Sequence, residues 1–257
     1  MDWLLSAYKT IEAEGLCDKD KRPPDKQCER GHVMPYRWTK SGSYEYWRTD
    51  PCRLCQDEDR QKQAITLADT RLANALVPRR LATHRPFNLS VDEHNASVYR
   101  AVSEWRDPMW MLVMGPVGTG KTTWVTSLFN TLTANGGRWD GAQWMTEAEL
   151  FLKCDVAHSE RGYTARQREL MRIIGSPLLM LDDIGAGRGK LTEWQSASMR
   201  HLFDTRHAKE LPTFMTTNIK SLDGFAERYG DHVASRISEA SMGGHYMGGP
   251  DRRLPGR

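Results

Sequence analysis

The sequence contains no uninterrupted apolar run that approaches the ~20 residues of a membrane-spanning helix. Its first residues, Met1-Asp2-Trp3-Leu4-Leu5, lack the basic start and the apolar stretch of a signal peptide. It also lacks a strong charge of either sign, because 36 Lys and Arg residues face 33 Asp and Glu residues, for a net charge of +3. We therefore expect a cytoplasmic protein with no membrane partner, and one that does not permanently coat a polyanion.

Composition and length nevertheless indicate a folded protein. The chain has 257 residues, of which 39% are hydrophobic and 27% charged, and its mean hydropathy is −0.64. A disordered chain is usually poorer in apolar residues. At ~100–200 residues per domain, this length allows one ordinary domain and one small additional domain.

Cysteine is scarce outside the first quarter of the chain, where four of the five cysteines lie: Cys17, Cys28, Cys52 and Cys55. The C-x₂-C pair at its end is a zinc knuckle pattern, and a tetrahedral site needs two more ligands from upstream. Cys28 with His32 would complete a Cys₃His site, whereas Cys17 with Cys28 would complete a Cys₄ site across a longer gap. A segment of this size cannot build a sufficient core alone, so bound Zn²⁺ would supply folding free energy.

Charge and hydrophobic periodicity divide the chain further. Residues 21–48 hold seven basic side chains against three acids, interleaved with Tyr36, Trp38, Tyr44, Tyr46 and Trp47. Apolar residues then recur at helical spacing from Asp57 to Val77, and Pro78 is expected to end that helix. We predict a zinc-binding, partner-docking module over residues 1–56, a helical linker over 57–80 and a second domain over 81–257.

The second domain alternates short apolar runs with helical patterns, which is typical of a parallel sheet flanked by helices in an α/β fold. The strands are expected at Met109–Met114, Ala142–Met145, Leu178–Leu181 and Thr213–Met215. The glycine-rich tail from Met242 onward is expected to form a loop.

Residues 115–122 read Gly-Pro-Val-Gly-Thr-Gly-Lys-Thr, which is the complete G-x-x-x-x-G-K-[ST] pattern of a phosphate-binding loop. Its glycines let backbone N–H groups converge on phosphate oxygens, Lys121 reaches the β- and γ-phosphates, and the Thr122 hydroxyl is placed to bind Mg²⁺. The pattern predicts ATP binding by Gly115, Pro116, Val117, Gly118, Thr119, Gly120, Lys121, Thr122 and Thr123.

Polar residues end two later apolar runs. Asp182 and Asp183 close the run that starts at Pro177, and Asn218 closes the run that starts at Pro212. Side chains at the carboxyl ends of parallel strands open into the crevice where ligands bind. Asp182 is the candidate for holding Mg²⁺, Asp183 for polarising the attacking water, and Asn218 for sensing the γ-phosphate.

An ordered set of motifs gives the sequence a family resemblance: residues 115–122, 177–185, Asp204-Thr205-Arg206, Thr216-Thr217-Asn218 and Val233–Ile237. With Met145–Leu150, this set resembles the DnaC-like replicative helicase loaders and the related IstB-like transposition ATPases, both of the AAA+ class. The resemblance covers roughly residues 80–240. It implies an AAA+ P-loop domain in which Asn218 is the first sensor and Arg236 is an arginine finger that acts on a neighbouring subunit's nucleotide.

Two departures from the AAA+ pattern modify this expectation. Many AAA+ proteins have aspartate and glutamate where this chain has Asp182 and Asp183, so slow hydrolysis is expected. About 39 residues follow Asn218, too few for a full helical lid. The sequence therefore does not assign a second sensor, for which Arg252 and Arg253 are the candidates. Residues alone also allow Arg236 to pair with Glu239 on the helix surface.

The resemblance implies an ATP-dependent loader of a DnaB-type hexameric helicase, of phage or bacterial origin, that assembles through its ATPase domains and grips single-stranded DNA. In loaders the N-terminal extension engages the helicase, and some phage-type loaders resemble this chain with a Cys₃His module. The module's basic and aromatic residues could also bind single-stranded DNA. The rival hypotheses are an IstB-like helper of a DNA transposase and an adaptor that binds ATP without hydrolysing it.

Overall fold

The computed structural model describes residues 16, 18–41, 44–187, 189–241 and 244–253. The chain divides into two compact units, Met1–Thr66 and Leu67–Arg257. Cys17, the alternative fourth zinc ligand, lies outside the described residues. None of the helices in the described ranges combines the length and the apolar character needed to cross a bilayer.

The first unit contains two small antiparallel strand pairs. Strands β1 (Lys26–Gln27) and β2 (Val33–Met34) form one pair. Strands β3 (Tyr36–Ser41) and β4 (Tyr44–Thr49) form the second. Trp38 lies opposite Trp47 in the second pair, with ring centroids 5.4 Å apart in an edge-to-face arrangement. Helix α1 (Arg53–Asn74) begins between the two cysteines of the C-x₂-C pair.

The second unit alternates strands and helices along the chain. Its strands are β5 (Met111–Met114), β6 (Gln143–Thr146), β7 (Leu179–Ile184), β8 (Thr213–Thr217) and β9 (His245–Tyr246). Its helices after α1 are α2 (Ala96–Glu104), α3 (Lys121–Asn135), α4 (Glu147–Arg161), α5 (Tyr163–Ile174), α6 (Glu193–Ala208), α7 (Leu222–Tyr229) and α8 (Asp231–Ala240). Two short 3₁₀ turns lie at Pro86–Asn88 and Gly137–Trp139.

The five strands form one parallel sheet in the order β6-β7-β8-β5-β9. Successive side chains of β5 enter opposite cores, because side chains alternate across a strand. Leu112 packs in the core that includes Phe203 of α6, and Val113 in the core that includes Phe129 of α3. Helices therefore cover both faces of the sheet, which confirms the predicted α/β class and the four predicted strands.

Two local predictions differ from the structure. Helix α1 ends at Asn74 rather than next to Pro78, because Leu76 adopts a left-handed φ of 63° and the Val77 N–H donates back to the Leu72 carbonyl. The tail is not only a loop, because β9 extends the sheet and the next residue, Met247, is fully buried. A glycine-rich sequence gave little indication of an edge strand this short.

A buried cation fixes the carboxyl end of α6. Arg206 is fully buried and donates hydrogen bonds to the backbone carbonyls of Ile174, Ser176 and Pro212, and to the Thr213 hydroxyl. No acid is among these partners. Arg206 therefore satisfies the backbone where α5, β7, α6 and β8 meet, which is a structural role.

Candidate functional site

The phosphate-loop sequence forms the turn between β5 and α3, and Lys121 is the first residue of α3. Gly115 and Gly118 have φ values of 145° and 82°, which favour glycine. A Cβ on Gly115 would lie 2.0 Å from the Met247 carbonyl oxygen, and one on Gly118 would lie 2.0 Å from an Asp251 carboxylate oxygen. The φ values therefore favour glycine at both positions, and the Met247 backbone leaves no room for a Cβ at Gly115.

Lys121, Asn218 and Asp183 form a continuous chain of polar contacts. The Lys121 Nζ donates to the Asn218 Oδ1 at 2.9 Å and to the Pro116 carbonyl at 2.6 Å. The Asn218 Nδ2 donates to the Asp183 Oδ1 at 2.7 Å. Lys121 is only 6% exposed, and burial lowers its pKa although Asp183 and Asp182 oppose this change. A phosphate oxygen could replace the neutral acceptors of this ammonium group.

Asp182 joins the first turn of α3 to the end of β8. Its Oδ1 accepts hydrogen bonds from the Thr122 hydroxyl at 2.8 Å and from the Thr216 hydroxyl at 2.5 Å. Burial raises the pKa of Asp182, and the two hydroxyls oppose that shift. A hydroxyl and a carboxylate side by side offer the oxygen ligands that Mg²⁺ prefers, so Thr122 and Asp182 fit the predicted magnesium role.

These side chains share one cavity of about 590 Å³. It lies within the range typical of small-molecule and cofactor pockets. Its wall includes the loop from Val117 to Thr123 with Asp182, Asp183 and Asn218. The sequence analysis missed Thr216, although it lies in the motif that ends at Asn218. It also missed the part of the wall that comes from the segment interpreted only as a connector: Arg80, Leu81, His84, Leu89 and Ser90.

The C-terminal segment runs along the phosphate loop. The Met247 N–H donates to the Met114 carbonyl, and the Arg252 N–H donates to the Gly118 carbonyl at 2.9 Å. The Arg252 guanidinium pairs with Asp92 at 2.5 Å. Both second-sensor candidates, Arg252 and Arg253, line the cavity.

Arg236 lies elsewhere, on α8, and is not among the described residues that line the cavity. Its Nη1 lies 3.5 Å from a Glu239 carboxylate oxygen, and its Nε lies 3.7 Å from Asp204. The bond to Glu239 is the helix-surface pair that the sequence allowed. Within one protomer Arg236 thus contacts surface acids, and any contact with nucleotide requires a second copy of the chain.

Cys28, His32, Cys52 and Cys55 converge in the first unit, with their candidate ligand atoms all within 4.8 Å of one another. The Cys28 and Cys55 Sγ atoms are 3.5 Å apart, and the His32 Nδ1 lies 3.3 Å from Cys55 and 3.6 Å from Cys52. Ligands at ~2.0–2.3 Å from a tetrahedral zinc ion are separated by roughly 3.3–3.8 Å. The cluster therefore fits Zn²⁺ in both donor type and spacing.

A second layer of charged groups surrounds this cluster. The His32 Nε2, on the far side of the ring from the cysteines, lies 3.7 Å from a Glu58 oxygen. Arg30 pairs with Glu58 at 3.1 Å and with Asp59 at 2.7 Å. Such partners hold a metal-binding imidazole in the orientation that its bond to the metal requires.

The Cys28 and Cys55 thiols have opposite pKa shifts. Although burial opposes it, hydrogen bonds from the backbone near Arg30 and His32 lower the pKa of Cys28 to about 7. Burial and the neighbouring Cys28 raise the pKa of Cys55 to about 12. Of these two thiols, Cys28 therefore more readily supplies the thiolate form that binds metal.

Comparison of the sequence with protein-family models and with curated proteins finds no match. Solved structures do resemble the fold. The DnaC helicase loader aligns with a TM-score of 0.52 and 18% identity, over 66% of this chain and 99% of that one. The crystal structure of DnaI aligns with a TM-score of 0.50 and 21% identity, over 69% of this chain and 94% of that one.

AMPPCP-bound DnaA from Aquifex aeolicus gives a TM-score of 0.51 and 20% identity, over 65% of this chain. The match spans about half the length of that DnaA chain, 50%. At these identities the likeness concerns the fold. The resemblance recognised in the sequence is confirmed at that level: the second unit has a parallel-sheet P-loop fold like that of the DnaC helicase loader structure. A small unit with a Cys₃His cluster suited to zinc precedes it in the chain.

Proposed function

We propose that this protein is an AAA+ ATPase that loads a replicative hexameric helicase onto single-stranded DNA. One observation carries the proposal: Lys121, Asn218 and Asp183 form a single polar chain beside the Thr122–Asp182 pair, in one cavity. That cavity lies on a sheet whose fold resembles the DnaC helicase loader. An ordinary strand-to-helix turn does not need so many convergent polar groups.

The residues of the cavity divide the chemistry among them. Lys121 and the loop N–H groups bind the phosphates of ATP, and Asn218 is placed to respond to the γ-phosphate. Thr122 and Asp182 hold Mg²⁺, which neutralises charge on the phosphates when it is bound. Asp183 orients the attacking water, and its side chain is one methylene shorter than the glutamate of many AAA+ proteins, so we expect slow turnover.

ATP hydrolysis takes place between subunits in this proposal. Arg236 is exposed enough to leave its partners Asp204 and Glu239, both of which are surface residues. In an assembly it would donate to the phosphates bound by the neighbouring protomer, as an arginine finger does. ATP then favours the assembled state that grips DNA, and hydrolysis releases it, so that the nucleotide acts as a timer.

The first unit is proposed to bind one zinc ion through Cys28, His32, Cys52 and Cys55 and to dock the DnaB-type helicase. Zinc supplies folding free energy to a unit whose strands are short. Its β3–β4 hairpin presents exposed Arg37 and Arg48 opposite each other. Arginine with tryptophan and tyrosine is typical of the centre of protein interfaces, which favours the helicase over DNA as its partner.

The decisive experiment mixes the purified full-length chain with the replicative helicase of its own host and circular single-stranded DNA. Loading predicts that ATP and this chain together increase the amount of helicase on the circle, and that single-stranded DNA changes phosphate release. Binding to a transposase instead of the helicase would favour the IstB-like function. ATP binding with no phosphate release, with or without DNA, would indicate the non-hydrolysing adaptor.

A further inference from the structure

A buried acid outside the proposed reaction chemistry holds the turn that follows Asp183. Glu147, the first residue of α4, is only 5% exposed. Its Oε2 accepts a hydrogen bond from the Gly185 N–H at 3.0 Å, and its Oε1 accepts one from the Tyr229 hydroxyl at 2.6 Å. One carboxylate therefore connects the turn after β7 with the last residue of α7.

The turn needs such support because Asp183 has a φ of 54°, in the left-handed region that residues other than glycine adopt only at a cost in backbone strain. Its backbone N–H donates to the Thr216 hydroxyl at 3.0 Å, and its side chain accepts from Asn218. These bonds fix the side of the turn that faces the cavity. The bond from Gly185 to Glu147 fixes the other side, two residues later.

Tyr229 and Arg228 make the connection to α7 specific. Burial, together with the charge of Glu147, raises the pKa of Tyr229, so its hydroxyl remains a donor at neutral pH. Arg228 places its Nη2 3.7 Å from Glu147 and donates through Nη1 to the Gly189 carbonyl at 3.1 Å. Tyr229 and Arg228 thus both approach Glu147, and Arg228 also binds the backbone that follows the Asp183 turn.

The same helix leads directly to the proposed arginine finger. Gly230 is the single residue between α7 and α8, and α8 carries Arg236. A displacement of Tyr229 therefore reaches the start of α8 through Gly230 alone. An apolar side chain could fill the position of Glu147 without the cost of burying a charge, but only a group with two acceptor oxygens can hold the Gly185 N–H and the Tyr229 hydroxyl together.

We propose that Glu147 is a positioning residue that keeps Asp183 in its productive geometry and, through Tyr229, couples this turn to the helix that presents Arg236 to the neighbouring subunit. The state of a protomer's own nucleotide would then change the arginine that it offers in trans. This inference rests on the proposed ATPase function.

The first test separates positioning from folding by steady-state kinetics. Glu147→Ala should lower kcat by about 10- to 100-fold, because a group misplaced by about 1 Å loses that much rate, while ATP affinity changes little. Glu147→Gln should recover part of the loss, since an amide oxygen can still accept from Gly185. Glu160→Gln, at an exposed site on the same helix, is the matched control and should retain the wild-type kcat.

The second test requires neither ATP hydrolysis nor the removal of the buried Glu147 side chain. Hydrogen exchange over residues 222–240 is measured with and without a non-hydrolysable ATP analogue. The wild-type chain should show a change on binding the analogue, and Tyr229→Phe should bind it equally well but show a much smaller change, because the link to Glu147 is lost. Circular dichroism and thermal melting check that each variant is folded.

Distinct results contradict the inference and the function on which it rests. Wild-type kcat in Glu147→Ala, or an equal exchange response in Tyr229→Phe, would overturn the inference while leaving the ATPase intact. If the wild-type chain binds ATP without releasing phosphate, the ATPase proposal fails, and the exchange experiment still decides the coupling. A wild-type chain that binds no ATP would overturn both.

Discussion

Replacement of Lys121 by alanine tests the central assignment of the cavity. The Lys121 ammonium is buried, and its hydrogen-bond partners within the described residues are neutral acceptors, the Pro116 carbonyl and the Asn218 amide oxygen. A bound phosphate would offer it a charged partner in the same desolvated position. No other cation of the loop sequence itself can take over this contact.

The magnitude follows from the cost of removing one partner of a buried, hydrogen-bonded charge pair, which is about 2–5 kcal/mol. At about 1.4 kcal/mol per tenfold, Lys121→Ala should weaken ATP binding by roughly 30-fold to several thousand-fold. Isothermal titration at fixed salt and Mg²⁺ measures this change. Lys209→Ala, at an exposed position just after α6, is the control and should bind ATP like the wild type.

The same titration has a pH dependence whose sign is fixed by the structure. Burial lowers the pKa of Lys121 in the free protein, whereas bound phosphate favours its charged form. Below the free-state pKa the lysine is charged before and after binding. Above it, binding must take up a proton, so wild-type affinity should fall as pH rises, beginning at a lower pH than for an ordinary lysine. This decline should be absent in Lys121→Ala, and equal affinities of the two proteins would refute the assignment.

Three further outcomes are expected. Arg236→Ala should leave ATP affinity intact but suppress phosphate release. Mixing it with Lys121→Ala should restore some turnover, because a junction between the two variants can combine an intact Lys121 from one protomer with an intact Arg236 from the other. Absence of such rescue would argue against action between subunits. Metal analysis should find about one zinc per chain. Cys55→Ser should lose this zinc and Cys17→Ser should keep it, whereas loss of zinc from Cys17→Ser would favour the Cys₄ site. Arg206→Met should destabilise the chain in urea unfolding by at least about 3 kcal/mol, because three buried carbonyls lose their donor, and a smaller loss would contradict its structural role.

Those parts of the fold that depend on local chemistry could be predicted from the sequence. The loop from Gly115 to Thr122 specifies its own backbone, and the strand before it is a short apolar run. The two cores on opposite faces of the sheet also follow from the continuously apolar strands, because successive side chains of a strand point to opposite faces. Zinc ligands could be proposed because their spacing is itself a pattern.

Contacts between segments that are distant along the chain have no motif or spacing by which the sequence could reveal them. The wall of the cavity at residues 80–90 resembles a connector in sequence, since its role depends on folding back over the phosphate loop. Glu147 reads as an ordinary acid in the first turn of a helix, where the helix dipole favours it. Contacts with Gly185 and Tyr229, 38 and 82 residues away along the chain, distinguish it from Glu149.

The segment from Asp204 to Arg206 shows why a family motif does not by itself assign roles. Residues two apart on a helix point about 200° from each other, because each residue turns the helix by about 100°. Asp204 therefore lies at the surface, where it contacts Arg236 and His232, while Arg206 is buried among backbone carbonyls. A change at Asp204 acts on the freedom of the proposed arginine finger, and a change at Arg206 acts on the stability of the sheet that carries the proposed nucleotide site. The same short motif thus holds one residue that affects Arg236 and one that affects stability. The helix face on which each residue lies distinguishes the two roles.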